Sequence, residues 1–230
     1  LKQWKQHPRE LDPSVCGRIP VRTNRDDRYL REKFQAMPKD GYTRLFQRIV
    51  DVCGDRLCVE LEVDFPRVRD RVSYDVLVYT GSIDAYFEEC CGPLPYRSLR
   101  FEPESFTPDD LHRLHRPTAS RGFWQPYVQV NYPNHEEFTR IVEIKHVTQQ
   151  ATPNTTIVRE YPADFVPGAE PYYPIPKAAN HERYRQYAQL AESRRNTVFL
   201  GRLATYRYYN MDQVVGAALA AFDECRKAGA

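Results

Sequence analysis

No two of the ten glycines in this 230-residue sequence are separated by a single residue. A Gly-x-Gly-x-x-Gly cradle for a dinucleotide pyrophosphate therefore cannot be drawn anywhere along it. The six cysteines (Cys16, Cys53, Cys58, Cys90, Cys91, Cys225) show no Cys-x-x-Cys spacing, and none has a histidine in a metal-like pattern. No zinc or other metal site is expected, and neither is a disulfide framework in a chain that is 41% apolar; reduced, cytoplasmic thiols are the expectation. There is no run of about 18 apolar residues, so no membrane span is predicted. The opening Leu1-Lys2-Gln3-Trp4-Lys5-Gln6 is neither a signal peptide nor a start-methionine context, and the chain is expected to begin within a longer protein. Basic and acidic residues nearly cancel, 33 against 31, which removes a global field toward nucleic acid or anionic lipid. No Gly-x-Ser-x-Gly elbow, Walker loop or His-Glu-x-x-His motif is present, so hydrolase chemistry loses its usual signatures.

What the chain does have is tyrosine, sixteen in all, and proline, eighteen. Tyrosines can line a polar cleft with a flat face and a hydroxyl, or serve as ordinary sheet residues. Residues 1–33 mix charge with Pro8, Pro13 and Pro20, which suits short helices joined by a loop over 12–28. The segment 41–50 places Leu45, Phe46, Ile49 and Val50 on one helical face. Val59, Leu61, Val63 and Phe65 alternate with polar residues and predict a strand over 57–65. A buried strand ending at Gly81 and a short helix over 83–87 follow. Four extended runs, 97–101, 127–131, 139–146 and 155–161, lack intervening helices and predict an antiparallel sheet, interrupted by an inserted loop or short helix over 102–124. A charged helix over 180–194, a strand over 197–200 and a helix over 211–227 with Val214, Val215, Ala218, Leu219 and Phe222 on one face close the chain.

The most informative cluster is the run Gly201-Arg202-Leu203-Ala204-Thr205-Tyr206-Arg207-Tyr208-Tyr209-Asn210-Met211-Asp212. It leads into a helix whose free N–H groups favour phosphate or a polarised carbonyl, with Asn210 or Asp212 as cap; an ordinary capped helix reads the same way. Arg18, Arg22, Arg25 and Arg28 crowd the 12–28 loop, and Arg140 begins a strand; such residues suit a diphosphate or a solvated surface alike. His112 and His115 have helical spacing but no completing ligands.

Several blocks together resemble the UDP-galactopyranose mutase family. They are Lys2-Gln3-Trp4, the Gly17 to Tyr29 run Gly-Arg-Ile-Pro-Val-Arg-Thr-Asn-Arg-Asp-Asp-Arg-Tyr, Met37-Pro38-Lys39-Asp40-Gly41-Tyr42, Val78-Tyr79-Thr80-Gly81-Ser82-Ile83-Asp84, Tyr96-Arg97-Ser98-Leu99-Arg100-Phe101-Glu102, Val130-Asn131-Tyr132, Thr139-Arg140-Ile141-Val142-Glu143-Ile144-Lys145-His146, Glu170-Pro171-Tyr172-Tyr173-Pro174 and the Gly201 to Asp212 run. They stand in the family's order over nearly the whole chain.

The resemblance implies an α/β (α+β) chain in four stretches. Residues 1–33 would be the end of a helical domain with a mobile loop. Residues 34–85 and 177–230 would be parts of a discontinuous, Rossmann-like FAD-binding domain, and 86–176 a six-stranded antiparallel substrate-binding sheet. It implies an isomerase that interconverts UDP-galactopyranose and UDP-galactofuranose on reduced FAD, through a bond between flavin N5 and the anomeric carbon. By motif, Arg18 and Arg140 would grip the diphosphate, and Trp4 and Tyr29 the nucleotide. Arg97, Asn131, Tyr173, Tyr208 and Asn210 would line the rest of the substrate cleft. Arg202, Met211, Asp212 and Gln213 would contact FAD, and Val63 would approach its adenosine end. Three departures stand out: Asn210 where some relatives have aspartate, Ser82 in place of a proline, and a longer stretch over 102–124. Without the phosphate-binding glycines, these residues alone are expected neither to bind FAD well nor to turn over. No nucleic acid or membrane partner is expected, and a homo-oligomer is left open. The alternatives are a non-catalytic UDP-sugar-binding module and another amine-oxidase-like flavoprotein.

Overall fold

A computed structural model describes residues 2, 7, 9, 21–26, 28 and 32–228. Its helices and strands, in chain order, begin with α1 (Gly41–Cys53), α2 (Phe65–Val68), β1 (Leu77–Tyr79), α3 (Ile83–Tyr86) and β2 (Tyr96–Phe106). Next come α4 (Pro108–Arg113), β3 (Gln129–Asn131), β4 (Arg140–Glu143), α5 (Ile144–Thr148), β5 (Thr155–Asp164) and β6 (Tyr173–Pro174). The last are α6 (Ala178–Glu192), β7 (Thr197–Phe199), α7 (Gly201–Ala204) and α8 (Met211–Ala228). Strands β1 and β7 form a parallel pair, and the other five form an antiparallel sheet in the order β3-β4-β5-β2-β6. The architecture is thus mixed α/β. Among the described residues the antiparallel sheet has five strands rather than the six that the resemblance implied.

The central ladder is β2 against β5, running from Arg97 opposite Asp164 to Phe106 opposite Thr155. Because side chains alternate faces, Phe106, Ile141 and Ile157 share one face, and there they pack with Leu111, Ala119 and Trp124. The 102–124 stretch is therefore not a loose insertion. Residues 102–106 lengthen β2, and the remainder folds over one face of the sheet. Thr107 and Asp110 close a reciprocal capping box at the start of α4, with Pro108 in the first turn where no N–H is needed.

A buried carboxylate ties this cover to the sheet. Glu143 accepts the N–H groups of Trp124 at 2.8 Å and Gln125 at 3.0 Å, and the Thr155 hydroxyl at 2.5 Å. The run predicted as one strand over 139–146 stops at Glu143, where α5 turns His146 back toward it at 3.4 Å.

The second core joins the sheet to the helices. Ile83, Leu94, Tyr96, Tyr187 and Tyr206 bury together, and a third cluster holds Tyr79, Tyr86 and Ala204 with Phe65 and Phe199. Gly81 is required by close approach, since a Cβ there would lie 2.6 Å from the Tyr79 hydroxyl oxygen. That hydroxyl donates to the Ser82 carbonyl at 3.1 Å and holds the turn where the resemblance expects proline.

Two expectations are corrected. No strand forms over 57–65: the chain bends at Leu61 and Glu62, where Glu62 has a φ of 58°, α2 begins at Phe65, no strand among the described residues pairs with the segment, and Val59, Leu61 and Val63 are exposed. The strand before Gly81 is short and not buried along its length: Val76 and Val78 are exposed, Leu77 is half-buried and only Tyr79 is fully covered. Leu45, Phe46 and Ile49 of α1 and Val215, Leu219 and Phe222 of α8 are likewise exposed. Helical spacing set the local conformation of α1 and α8, whereas alternation alone made no strand at 57–65; pairing and burial both need a facing surface.

Candidate functional site

The sheet face opposite the 107–124 cover carries four of the residues that the resemblance assigns to substrate. Asn131 on β3 stands opposite Arg140 on β4, Arg140 opposite Glu160 on β5, and Glu160 opposite Phe101 on β2. Cross-strand partners share a face, so these four make one row. Arg97 lies four residues before Phe101 and so faces the same way, between Asp164 on β5 and Tyr173 on β6. The register thus brings Arg97, Asn131, Arg140 and Tyr173, which are far apart in sequence, onto one surface.

Each arginine is oriented by a carboxylate or a carbonyl. Arg140 places Nε 3.3 Å from Glu160 Oε1, an ion pair without hydrogen-bond alignment, and reaches Gln129 Oε1 from Nη1 at 3.4 Å. The Thr139 hydroxyl donates to the Glu160 main-chain oxygen at 3.0 Å and to its carboxylate at 3.3 Å, so the acid is itself held in place. Arg97 is buried and pairs with Asp164. Arg202, on α7, donates Nη1 to the Tyr172 carbonyl at 3.0 Å and Nη2 to the Tyr209 carbonyl.

The guanidinium of Arg202 also lies against two aromatic rings, its Cζ 5.4 Å from the Tyr173 centroid and 5.0 Å from that of Tyr208. These rings are 5.1 Å apart and inclined at 33°. Burial, followed by Tyr208 and Glu160, pushes the Tyr173 hydroxyl up to about 12, while Arg140 and Arg202 pull the other way. Tyr173 is therefore a neutral hydroxyl at physiological pH, able to donate to an anionic oxygen. Among the described residues named here, three arginines stand against two carboxylates, an excess of one positive charge that suits a local anion site on a nearly neutral chain.

Beside Arg202 the chain enters α8. The Asn210 N–H donates to Gln213 Oε1 at 2.8 Å, so the Gln213 side chain satisfies a main-chain donor just ahead of α8. Met211, Asp212 and Gln213 form the exposed first turn. Val63 is exposed in the 57–64 segment, which pairs with no strand among the described residues, and stands away in sequence from this group.

Trp4, Arg18 and Tyr29 lie outside the described residues. Of the arginines around them, Arg22 donates to the Asp26 carbonyl at 2.9 Å and Arg28 pairs with the Asp26 carboxylate at 2.8 Å. The hydrogen bonds from Arg28 hold that carboxyl well below the usual carboxylate range. Lys2 donates Nζ to the Tyr132 carbonyl at 2.6 Å and to that of Phe138 at 3.0 Å, joining the β3–β4 connection. No set of three His, Cys, Asp or Glu side chains suited to a metal ion comes together among the described residues. No helix among them is long and apolar enough to cross a membrane.

Glu160 and Asp164 were not picked from the sequence. Period-two alternation along β5 places them on the face of Pro162, but the arginines opposite them are visible only once the strand register is known.

Comparison with known proteins gives the family. A family model described as UDP-galactopyranose mutase matches residues 1–208. A probable UDP-galactopyranose mutase of Klebsiella pneumoniae is 35% identical over 226 residues, covering 97% of this chain and 54% of the relative. A dTDP-fucopyranose mutase of Escherichia coli is 31% identical over 223 residues, covering 95% and 56%, respectively. A UDP-galactopyranose mutase of Mycoplasma pneumoniae is 33% identical over 238 residues, covering 96% and 55%. The chain spans about half the length of these curated relatives.

Proposed function

Because the chain belongs to the UDP-galactopyranose mutase family, we propose that it is the sugar-nucleotide-gripping part of a flavin-dependent isomerase that interconverts UDP-galactopyranose and UDP-galactofuranose. The observation that carries this reading is the convergence of Arg97, Asn131, Arg140, Tyr173, Tyr208 and Arg202 from the sheet and the 201–209 run. A diphosphate departing from a sugar accumulates negative charge, and fixed cations stabilise such charge best when they need no rearrangement. In this reading Arg140, oriented by Glu160, takes the diphosphate. The Tyr173 hydroxyl donates beside it, and Asn131 offers an amide to the sugar or a phosphate oxygen.

The residues present fit one edge of an FAD site. Arg202 is a cation fixed by two carbonyls, and the first turn of α8 presents main-chain N–H groups next to it. Arg202, Met211, Asp212 and Gln213 would hold the flavin there. When bound, it would supply the covalent chemistry of ring contraction. Val63 is proposed for the adenosine end only by motif. The relative named for dTDP-fucopyranose makes the wider class a nucleoside-diphosphate sugar, with UDP-galactose as the favoured member.

Calorimetric titration of UDP into the chain and its Arg140→Ala variant tests the grip. Loss of a charge-assisted hydrogen bond worth about 1.5–3 kcal/mol should weaken binding by roughly 10-fold to 100-fold. An isotherm unchanged by the substitution would remove Arg140 from the site.

A further inference from the structure

Cys90 and Cys91 are neighbours in the turn between α3 and β2, outside the sugar-nucleotide surface, and their sulfurs lie 3.8 Å apart. Cys90 is exposed and Cys91 half-buried. Several contacts set the turn. Tyr187, fully buried on α6, donates its hydroxyl to the Gly92 carbonyl at 2.8 Å and accepts the Cys91 N–H at 3.1 Å. Arg183 donates to the Pro93 carbonyl at 2.7 Å, and the Leu94 N–H donates to Asp84 at 2.8 Å. The two thiols are thus held side by side by a fixed main chain, so a ligand that needs both loses little entropy in gathering them.

The spacing decides which chemistry suits the pair. The peptide between them is trans, which puts the Cα atoms about 3.8 Å apart, short of the roughly 4.4–6.8 Å that disulfides usually span. Their sulfurs would also have to close to about 2.0 Å. A centre that bonds both sulfurs at about 2.3 Å, as in a zinc thiolate, spans about 3.3–3.8 Å at bond angles of roughly 90–110°. The observed separation matches that bite. Yet no third ligating side chain completes a metal shell among the described residues. The fitting class is a thiophilic centre satisfied by two sulfurs.

We propose that Cys90 and Cys91 form a bidentate dithiol site for monosubstituted trivalent arsenicals. An arsenoxide R–As=O reacts with the two thiols to form two As–S bonds. The arsenic–oxygen bond breaks, the two thiol protons pass to that oxygen, and water leaves. Arsenic and sulfur keep their oxidation states, so no oxidant or reductant is needed. Burial, and then the neighbouring Cys90, pushes the Cys91 thiol up, which keeps it protonated at neutral pH and able to supply one of those protons.

Titrating the chain with phenylarsine oxide and counting the remaining thiols with a chromogenic disulfide reagent tests the site. One equivalent should remove two thiols, and a dithiol reductant should restore them at a concentration where a monothiol does not. Cys90→Ser and Cys91→Ser should each weaken capture by about 100-fold or more, since chelation is lost, whereas Cys58→Ser should leave it unchanged. Circular dichroism of each variant separates loss of the site from loss of the fold. Consumption of one thiol per arsenic, or two-thiol capture that survives Cys90→Ser in a folded protein, would overturn the proposal. So would a purified chain in which the two sulfurs are already joined to each other under non-oxidising conditions.

Discussion

Arg202 donates to the Tyr172 and Tyr209 carbonyls while its guanidinium lies over the Tyr173 and Tyr208 rings, so one side chain ties together the two tyrosines of the proposed site. The guanidinium holds its donors in a rigid planar fork, whereas a lysine ammonium is a compact point charge on a flexible stem and does not reproduce that geometry. Arg202→Lys is therefore expected to behave as a loss rather than a conservative change. UDP affinity should fall about 10-fold through displacement of the tyrosines, from the loss of one charged hydrogen bond of about 1.5 kcal/mol. Calorimetry at fixed ionic strength reads this directly, and wild-type affinity in the lysine variant would show that the bracket is dispensable. At this scale the sequence exposed the arginines and tyrosines, because their residue types and motif positions carry the signal. It did not expose Glu160, whose meaning comes from standing opposite Arg140 across a strand pair twenty residues away in sequence.

Helix α4 and the segment that follows it cover one face of the sheet and leave the other to the site, and Glu143 holds that cover down. Its two carboxylate oxygens meet two main-chain N–H groups and a hydroxyl, all donors. Glu143→Gln replaces one acceptor with an NH₂ group facing a donor, leaving a buried N–H unmatched at a cost of about 1–3 kcal/mol. For a chain of this size that corresponds to a fall in melting temperature of about 2–12 °C, with faster proteolysis within 107–124. A melting curve identical to the wild type would show that the clamp is not a stabilising element. This cover marks where sequence patterning stopped. The stretch was readable as an inserted loop or short helix, but its docking depends on a carboxylate eighteen or more residues away. The opposite failure occurs at 57–65, where alternation is clear but no ladder partner is present among the described residues. The long strand runs and α1, α6 and α8 were legible because their signals are local or repeat along the run, whereas the pairing and register of the strands were not.

Tyrosine is the residue type that links the cores to the site, and its ionisation bounds the stability of the molecule at high pH. Burial, with Asp84 and Asp64 adding to it, pushes Tyr79 up to about 12, and burial first of all does the same for Tyr173. Burial is also the leading cause that raises Tyr96 and Tyr206, which lie edge to face with ring centroids 5.5 Å apart in the core behind β2. In the unfolded chain a tyrosine titrates near 10. Folded-state values above that mean the unfolded chain releases its protons first as pH rises. The stabilisation is complete below about pH 10 and is lost as pH climbs from there through the folded-state range. Unfolding free energy measured in urea should stay level to about pH 9.5 and then decline. Each such tyrosine should add about 1.4 kcal/mol per pH unit to the slope where only the unfolded chain is ionised. Tyr79→Phe keeps the ring packing against Phe65, Tyr86 and Phe199 and removes one titrating hydroxyl, so its decline between pH 10.5 and 11.5 should be shallower by up to that amount. Equal slopes for the two proteins would place the alkaline transition outside this aromatic core.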